Sequence, residues 1–262
     1  MNIDIFIPAR LDSNRLPKKH LLQINGKPVI INLVNRLRSA KSIRNIVVCT
    51  TNLPSDDHLA RILDEEKIEC FRGDEKDILS RFLMASKKFD SDIIIDVEGD
   101  KLFMDINYVE KIILKMKKSK LDFVCGNDSK KIYNPSSSIH GLIPAAMKTS
   151  TLEKICKIKK TTNTETGYKE FFIRSGIFNI EFIIPQFCKT LPKNLRLTLD
   201  YKEDFLFAKK IFGKLGNNFT TEDLIPFIKN HPDLLEIINP LIKKWEINYQ
   251  RNLNDYSLGN IR

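Results

Sequence analysis

The sequence predicts an α/β protein with a doubly wound, mostly parallel sheet flanked by helices. Three observations support this prediction. Short apolar runs of strand length alternate with segments of helical periodicity through residues 3–125. Several of these runs are continuously apolar, which is typical of strands buried on both faces. The length of 262 residues suits one large α/β domain with a modest insertion.

The elements of the first half follow one another in a regular order. Pro28 stands where the first turn of a helix tolerates proline, and the apolar residues after it recur at helical spacing. The strand–helix–strand order implies right-handed parallel crossovers. The predicted strands are 3–8, 46–49, 70–71, 93–97 and 121–125, and the predicted helices are 28–40, 59–63, 78–89 and 109–116.

The regular order breaks near Gly126. Residues 127–140 are rich in Asn, Ser, Lys and Pro, and they predict an irregular insertion. Residues 241–262 are interpreted as a C-terminal tail. The predicted strands beyond Gly126 are 142–147, 178–184 and 195–199, and the predicted helices are 151–158, 204–212, 221–229 and 234–238.

The net charge of +10 is compatible with nucleic acid, an anionic membrane surface or small anionic substrates. The lysines are spread along helices without interleaved aromatic residues, so we expect a solvated surface and no nucleic-acid partner. No apolar run approaches the roughly 18 residues that span a bilayer. The N-terminus lacks a signal-peptide pattern, which predicts a cytoplasmic protein with no membrane insertion.

The cysteines and histidines indicate neither a disulfide framework nor a zinc site. The five cysteines are scattered and never occur as C-x-x-C. The four histidines are also dispersed. The chain contains neither a Walker lysine motif nor G-x-G-x-x-G, which argues against a P-loop or a dinucleotide site.

A basic loop follows the first predicted strand. Arg10, Ser13, Arg15, Lys18 and Lys19 fall within ten residues. In open α/β sheets, ligands bind beyond the carboxyl ends of the strands. Arginine forks match phosphate oxygens, and lysine adds point charge. The loop therefore predicts a polyphosphate site, although a solvated basic loop is the alternative.

Two carboxylates follow later apolar segments. Asp100 comes after the strongly apolar strand 93–97, and Asp200 comes after the predicted strand 195–199. Mg²⁺ in nucleotide sites commonly binds one or two carboxylates and phosphate oxygens. Each aspartate has a structural alternative, because Asp100 suits a strand–helix turn and Asp200 suits a helix N-cap. Together with the basic loop, they favour metal-assisted transfer from a nucleoside triphosphate.

Five sequence motifs resemble those of the sugar-activating cytidylyltransferases, which include the octulosonate, acylneuraminate and spore-coat polysaccharide branches. The matches run in order from residue 3 to about residue 240. Family members usually have glycine at the position of Lys18. The matching segments are P-A-R-L-D-S-N-R-L-P-K-K at 8–19, G-K-P at 26–28, R-G-D-E-K-D-I-L-S-R at 72–81, E-G-D at 98–100 and D-Y-K-E-D at 200–204.

The resemblance implies a single nucleotidyltransferase domain over 1–262, with a nucleotide-binding half (1–125) and a sugar-binding and dimerisation half (126–240). It also implies a homodimer formed through the irregular middle region, CTP as substrate, and Mg²⁺ held by Asp100 and Asp200. Arg10, Arg15 and Lys19 are the other implied catalytic residues. The implied nucleotide-binding residues are Pro8, Ala9, Arg10, Leu11, Ser13, Arg15, Lys19, Arg72, Asp77 and Arg81.

Two departures from the family pattern fall on the sugar side. Glu98 replaces the family's Gln or Thr, and an ionised Glu can only accept hydrogen bonds. Arg174 stands where the octulosonate branch has His. With Lys169 and Arg196, Arg174 offers a cation for a carboxylate. We expect these four residues to contact the acceptor.

The predicted reaction is attack by a hydroxyl of a small sugar, such as a ulosonic acid, on the α-phosphorus of CTP. The sequence leaves three alternatives open. They are another base or acceptor, a non-catalytic nucleotide-binding relative, and a glycosyltransferase of the same fold. The last would use a D-x-D metal motif, which residues 96–100 match poorly.

Overall fold

A seven-stranded sheet forms the centre of the computed structural model, which describes residues 1–192, 194–253 and 258. The order across the sheet is β5-β4-β1-β6-β8-β7-β9, and a two-stranded ribbon, β2-β3, lies apart from it. The strands are β1 (Ile3–Pro8), β2 (Gln23–Ile24), β3 (Lys27–Pro28), β4 (Asn45–Thr51), β5 (Glu69–Gly73), β6 (Ile93–Asp96), β7 (Phe123–Gly126), β8 (Ala145–Lys148) and β9 (Ile180–Ile183).

The helices cover the sheet, and their buried faces form two apolar clusters against it. This arrangement confirms the predicted doubly wound α/β fold. No helix in the described part of the chain is long and apolar enough to cross a membrane. The helices are α1 (Val29–Leu37), α2 (Asp57–Glu65), α3 (Ile78–Phe89), α4 (Ile106–Lys118), α5 (Thr149–Ile158), α6 (Glu170–Ile173), α7 (Lys202–Leu215), α8 (Thr221–Asn230), α9 (Asp233–Ile238) and α10 (Leu241–Asn252).

Strand β1 lies between two parallel neighbours, β4 and β6. Phe6 pairs with Asp96, so the carboxyl ends of β1 and β6 reach the same edge of the sheet. Beyond the ladder, the Gly99 N–H donates to the Pro8 carbonyl at 3.2 Å. This register brings the basic N-terminal loop beside residues 98–100.

The parallel order is interrupted where β8 enters the sheet. Strand β8 pairs antiparallel with both β6 and β7, and β9 then continues parallel to β7. The sheet therefore takes strands from both halves of the chain. Predicted strands 142–147 and 178–184 correspond to β8 and β9, which are shorter than expected.

The prediction of a strand at 195–199 is wrong. Residues 194–200, all described, contain no strand. Leu195, Leu197 and Leu199 alternate with polar residues in the sequence, which produces the strand-like pattern, but Arg196 and Asp200 are buried as well. The segment instead crosses the carboxyl edge of the sheet, where the Leu199 N–H donates to the Asp100 carbonyl at 3.0 Å. The apolar alternation here accompanies burial of nearly the whole segment without strand pairing.

The segment interpreted as a C-terminal tail, residues 241–262, begins with a helix. Residues 241–252 form helix α10. The sequence of this helix has little of the apolar periodicity that predicts a helix, and in the structure only Leu241 of the helix is buried. Within the predicted tail, residues 254–257 and 259–262 lie outside the described residues.

Candidate active site

The basic loop after β1 lines a cavity of about 340 Å³ at the carboxyl edge of the sheet, here called the nucleotide cavity. Arg10, Arg15 and Lys19 contribute to its walls, and so do Pro8, Ala9 and Ser13. Lys18 has φ 54°, in the left-handed region, and a short 3₁₀ helix begins at Lys19. This reversal turns the Lys19 side chain inward, where it is buried.

The Lys19 ammonium joins Asp100 and Asp200, the two aspartates singled out in the sequence. Its Nζ donates to Asp100 Oδ2 at 2.8 Å and to Asp200 Oδ1 at 3.2 Å. It also donates to the Leu199 carbonyl at 2.9 Å. Burial opposes the charge on Lys19, but Asp100 and Asp200 outweigh it and raise the lysine pKa. The structure therefore brings together two carboxylates that are 100 positions apart in the sequence.

Asp200 is the most heavily paired carboxylate of the site. Its Oδ1 also accepts from Arg15 at 2.5 Å, and its Oδ2 accepts from Arg196. Burial opposes ionisation of Asp200, but Lys19, Arg15 and Arg196 outweigh it and lower the pKa. Asp204 accepts from the Asp200 and Tyr201 N–H groups at 2.9 Å each, which fixes the start of α7. Asp200 is therefore held ionised on a rigid support.

Gly99 allows the close approach of residues 98–100 to β1. A Cβ at this position would lie 2.8 Å from His20 Cε1 and 3.0 Å from the Pro8 carbonyl oxygen. His20 also lines the nucleotide cavity. Burial, together with Lys19, lowers the His20 pKa to about 3, so the ring is neutral at physiological pH. Any side chain at position 99 would separate the two halves of the site.

The carboxylates at this edge suit a hard divalent cation. Asp100 Oδ1 is buried and has no hydrogen-bond partner among the described residues. Asp200 Oδ1 would exchange a hydrogen bond from Lys19 or Arg15 for an ion. In the described residues, no group of three or more His, Cys, Asp or Glu side chains could hold a metal by itself. Such a pair fits Mg²⁺, which commonly takes its remaining ligands from phosphate and water.

A second cavity of about 150 Å³ adjoins the first, and we call it the acceptor cavity. Both cavities are lined by Arg15, Glu98, Asp100, Glu165, Thr166, Tyr168 and Asn248. The Thr198 hydroxyl, which lines the acceptor cavity, is buried without a hydrogen-bond partner in the described chain. A buried hydroxyl without a partner at a cavity wall is a candidate ligand contact.

Glu98 is clamped by two lysines at the edge of the acceptor cavity. Its Oε1 accepts from Lys101 and from Lys169, each at 2.5 Å. Burial opposes ionisation of Glu98, but Lys101 and Lys169 outweigh it and lower the pKa. Lys169 also pairs with the buried Asp96 at 3.3 Å. Glu98 therefore stays charged and offsets part of the positive field of the cavity.

Several predicted site residues lie away from both cavity walls in the described chain. Leu11 donates its N–H to Asp56 at 2.7 Å, and the Arg72 guanidinium donates to the Thr51 and Leu53 carbonyls. The Asp77 side chain caps α3 and pairs with Lys159. Arg174 pairs with Glu170 at 2.5 Å. The predicted residues beyond the first loop that do line a cavity are Arg81, Glu98, Asp100, Lys169, Arg196 and Asp200.

Other cavity residues were not predicted as site residues. Lys101 follows Glu98 at the i+3 spacing of a charge pair, which is a usable sequence signal. Glu165, whose carboxylate pairs with Arg10, belongs to a polar loop without a motif. Trp245 and Asn248 belong to the helix that was interpreted as a tail. These residues reach the site through tertiary packing.

Comparisons with known proteins place the chain in one protein family. A family model described as Cytidylyltransferase matches residues 5–182. The chain belongs to the cytidylyltransferase family. It is therefore a nucleotidyltransferase, and its relatives include a protein named 3-deoxy-manno-octulosonate cytidylyltransferase.

Two full-length relatives and one solved structure illustrate the likeness. The spore coat polysaccharide biosynthesis protein SpsF of Bacillus subtilis is 27% identical, and the match covers 89% of this chain and 97% of SpsF. An uncharacterized protein of Methanocaldococcus jannaschii is 28% identical, covering 90% and 94%. A cytidylyltransferase from Leptospira borgpetersenii superposes with a TM-score of 0.79 at 25% identity, covering 90% and 97%.

A shorter match joins the chain to enzymes with a named sugar. The 8-amino-3,8-dideoxy-manno-octulosonate cytidylyltransferase of Shewanella sp. is 34% identical over 119 residues, which is 43% of this chain and 46% of its own. The match leaves more than half of each chain uncovered.

Proposed function

We propose that the protein transfers the cytidylyl group of CTP to a hydroxyl of a small sugar. The hydroxyl oxygen forms a bond to the α-phosphorus, and the bond from that phosphorus to the β-phosphate bridging oxygen breaks. The products are a CMP-sugar, pyrophosphate and one proton. The observation that carries the proposal is the convergence of Asp100 and Asp200 on Lys19, beside the cationic first loop.

The nucleotide cavity suits a triphosphate because it combines several cationic side chains with a volume of about 340 Å³. Arg10, Arg15 and Lys19 line the cavity, and each already faces a carboxylate. We expect phosphate oxygens to replace some of these partners, since bidentate guanidinium–phosphate pairs are strong. Fixed cations at the leaving pyrophosphate stabilise charge that develops during transfer.

Mg²⁺ is the proposed cofactor. Asp100 and Asp200 would hold it, and the ion would neutralise phosphate charge and polarise the α-phosphate. Asp100 Oδ1, buried and without a hydrogen-bond partner in the described chain, supports this assignment. Lys19 and Arg15 keep Asp200 ionised and oriented in the absence of the ion.

An acidic 2-keto sugar, such as a ulosonic acid, is the proposed acceptor. Lys101 and Lys169 supply two ammonium groups at the acceptor cavity, and Thr198 supplies a buried hydroxyl. Glu98 and Asp96 already pair with these two ammonium groups, and we expect a carboxylate of the acceptor to share them. Relatives named for octulosonate substrates support the same acceptor class.

The test is a matrix of four nucleoside triphosphates against neutral and acidic sugars with Mg²⁺. Pyrophosphate release and mass spectrometry of the products are the measurements. We expect release with CTP and an acidic sugar, together with a product heavier than the acceptor by one cytidylyl group. Release with GTP or UTP alone would overturn the choice of base. A nucleoside diphosphate released from a nucleotide-sugar would indicate a glycosyltransferase, and CTP binding without turnover would indicate a non-catalytic relative.

We also propose that the protein forms a homodimer through the irregular middle region. Two aliphatic side chains there are strongly exposed, Ile132 at 73% and Ile177 at 46%. Strand β9, which begins shortly after Ile177, lies at the edge of the sheet. Light scattering of the purified chain should give a mass near 61 kDa, twice 30.4 kDa. A monomer at micromolar concentration would contradict the proposal.

A further inference from the structure

One face of helix α10 lines the cavities of the active site. Trp245, Asn248, Tyr249 and Asn252 recur at i, i+3, i+4 and i+7, so they share a face of the helix. Trp245 and Tyr249 line the acceptor cavity, Asn252 lines the nucleotide cavity, and Asn248 lines both. The family match ends at residue 182, so α10 lies outside it.

Contacts with the main body hold this helix in place. The Trp245 ring lies 5.4 Å from the Arg196 guanidinium carbon, and Tyr249 donates to Glu170 at 3.2 Å. Gly167 has φ 77°, and a Cβ there would collide with the Leu253 side chain. The loop that carries Glu165 and Thr166 is therefore packed directly against the end of α10. The helix is a fixed wall of the site.

The inward face of α10 has the chemistry of a ligand surface. A helix face that only packs on a core is normally apolar, without amide side chains. Here it carries two amides and two aromatic rings, and the rings of Trp245 and Tyr249 stack at 5.0 Å. The Asn248 Oδ1 accepts a long hydrogen bond of 3.3 Å from Asn252. The Asn248 Nδ2 has no hydrogen-bond partner among the described residues, although the side chain is half-buried.

We propose that α10 is a substrate-binding element, in which Asn248 contacts the reactants where the two cavities meet. Its amide donates a hydrogen bond to an oxygen of the acceptor beside the attacking hydroxyl. The Trp245 ring covers the C–H face of the sugar, as flat aromatic surfaces do for partly apolar ligands. This inference rests on the proposed function, since it names the contacts of that acceptor.

Steady-state kinetics with the acceptor found in the substrate matrix test the contact. Asn248→Ala should raise the acceptor KM about tenfold, the value of one lost hydrogen bond, and Asn248→Asp should raise it further because the donor becomes an acceptor. Gln250→Ala is the matched control, because Gln250 is an exposed amide on the same helix. A merely structural role would lower the melting temperature of the Asn248 variants with an unchanged KM, and that result would overturn the proposal.

A binding readout separates this inference from the proposed activity. Trp245 is the single tryptophan of the chain, so its emission reports on α10 alone. Adding CTP and Mg²⁺ should change the emission, and the acceptor should change it further; Trp245→Phe should abolish both signals. Emission that stays constant with both ligands would overturn the role of α10 even if pyrophosphate is released. Emission that responds to an acceptor while no mixture releases pyrophosphate would support α10 and overturn the transferase proposal.

Discussion

The nucleotide cavity and the acceptor cavity are built in different ways. The cations of the nucleotide cavity come mostly from one loop of ten residues after β1, beside Gly99 and Asp100 at the end of β6. The acceptor cavity is assembled from six separate segments, at Arg15 and near residues 98–101, 133–140, 165–169, 196–200 and 245–249. The first cavity depends on strand register, whereas the second depends on packing between distant loops.

This difference also separates the electrostatics of the two cavities. Asp100, Asp200 and Lys19 pair with one another where the two cavities meet, which we call the junction. A metal ion could replace Lys19 as the partner of the aspartates, and a triphosphate could replace the aspartates as partners of Lys19. Asp96, Glu98, Lys101 and Lys169 form a chain of opposite charges on the acceptor side. The ion pairs at the junction can therefore be replaced by contacts with ligands. The four charged residues on the acceptor side, here called the acceptor-side chain, instead hold neighbouring loops together.

The largest expected effect on stability comes from Lys169→Met. This change leaves the fully buried Asp96 carboxylate without its ammonium partner, and Glu98 keeps only Lys101. Removing one partner of a buried pair commonly destabilises a protein by about 3–5 kcal/mol. Urea unfolding should detect this loss, whereas Lys160→Met, at an exposed position, should leave the midpoint nearly unchanged. An unaltered midpoint in Lys169→Met would refute the structural role of the acceptor-side chain.

The opposite behaviour is expected at the junction. Asp100→Asn keeps the shape of the side chain but removes a charge that faces Lys19 and the proposed metal ion. We expect kcat to fall by about 10²–10³, the usual effect of losing a preorganised charge. The melting temperature should stay close to that of the unmodified protein. Asp122→Asn, on a partly exposed aspartate that pairs with Lys148, is the control. Full turnover in Asp100→Asn would remove the aspartate from the mechanism.

The same contrast explains what the sequence could predict. The first strand, the basic loop, and the Glu98–Asp100 turn are local patterns whose relative placement follows from parallel strand register. The sequence does not encode the acceptor cavity in the same local way. Thr198 lies in an extended segment that imitates a strand, and Trp245 lies on a helix without clear apolar periodicity. Their roles follow from tertiary contacts that a single sequence does not specify.

Acid should lower the free energy of unfolding through His140, which lines the acceptor cavity. Burial, with Lys101 and Lys169 nearby, lowers its pKa from 6.5 to about 3, so the folded protein keeps the ring neutral. Below pH 6.5 the unfolded chain binds a proton at His140 that the folded protein does not bind. The free energy of unfolding is therefore highest above pH 6.5 and decreases as the pH falls towards 3. At pH 5 the loss is about 2 kcal/mol. Unfolding free energies at pH 7 and 5 should differ less in His140→Gln than in the exposed His58→Gln. An equal difference between pH 7 and pH 5 in both variants would contradict the role of His140 in the acid sensitivity.

Glu98→Gln should change acceptor binding by a smaller amount. The amide removes one negative charge between Lys101 and Lys169, which leaves the cavity more attractive to a carboxylate. We expect the KM of an acidic acceptor to fall about tenfold, equivalent to about 1.4 kcal/mol, because the site is partly open to solvent. The KM of CTP should change about twofold or less. A higher acceptor KM would indicate that the Glu98 carboxylate itself accepts hydrogen bonds from the sugar.

The smallest expected effect comes from Lys18→Gly, on the nucleotide side. Family members usually have glycine here, and Lys18 adopts φ 54°, where a side chain is strained and glycine is not. The exposed Lys18 side chain is not among the residues that line the nucleotide cavity in the described chain. We therefore expect Lys18→Gly to raise the free energy of unfolding by about 0.5 kcal/mol, because relief of the strain slightly exceeds the entropy that glycine loses on folding. The KM of CTP should stay unchanged, whereas a severalfold increase in that KM would assign Lys18 a direct role in binding the triphosphate.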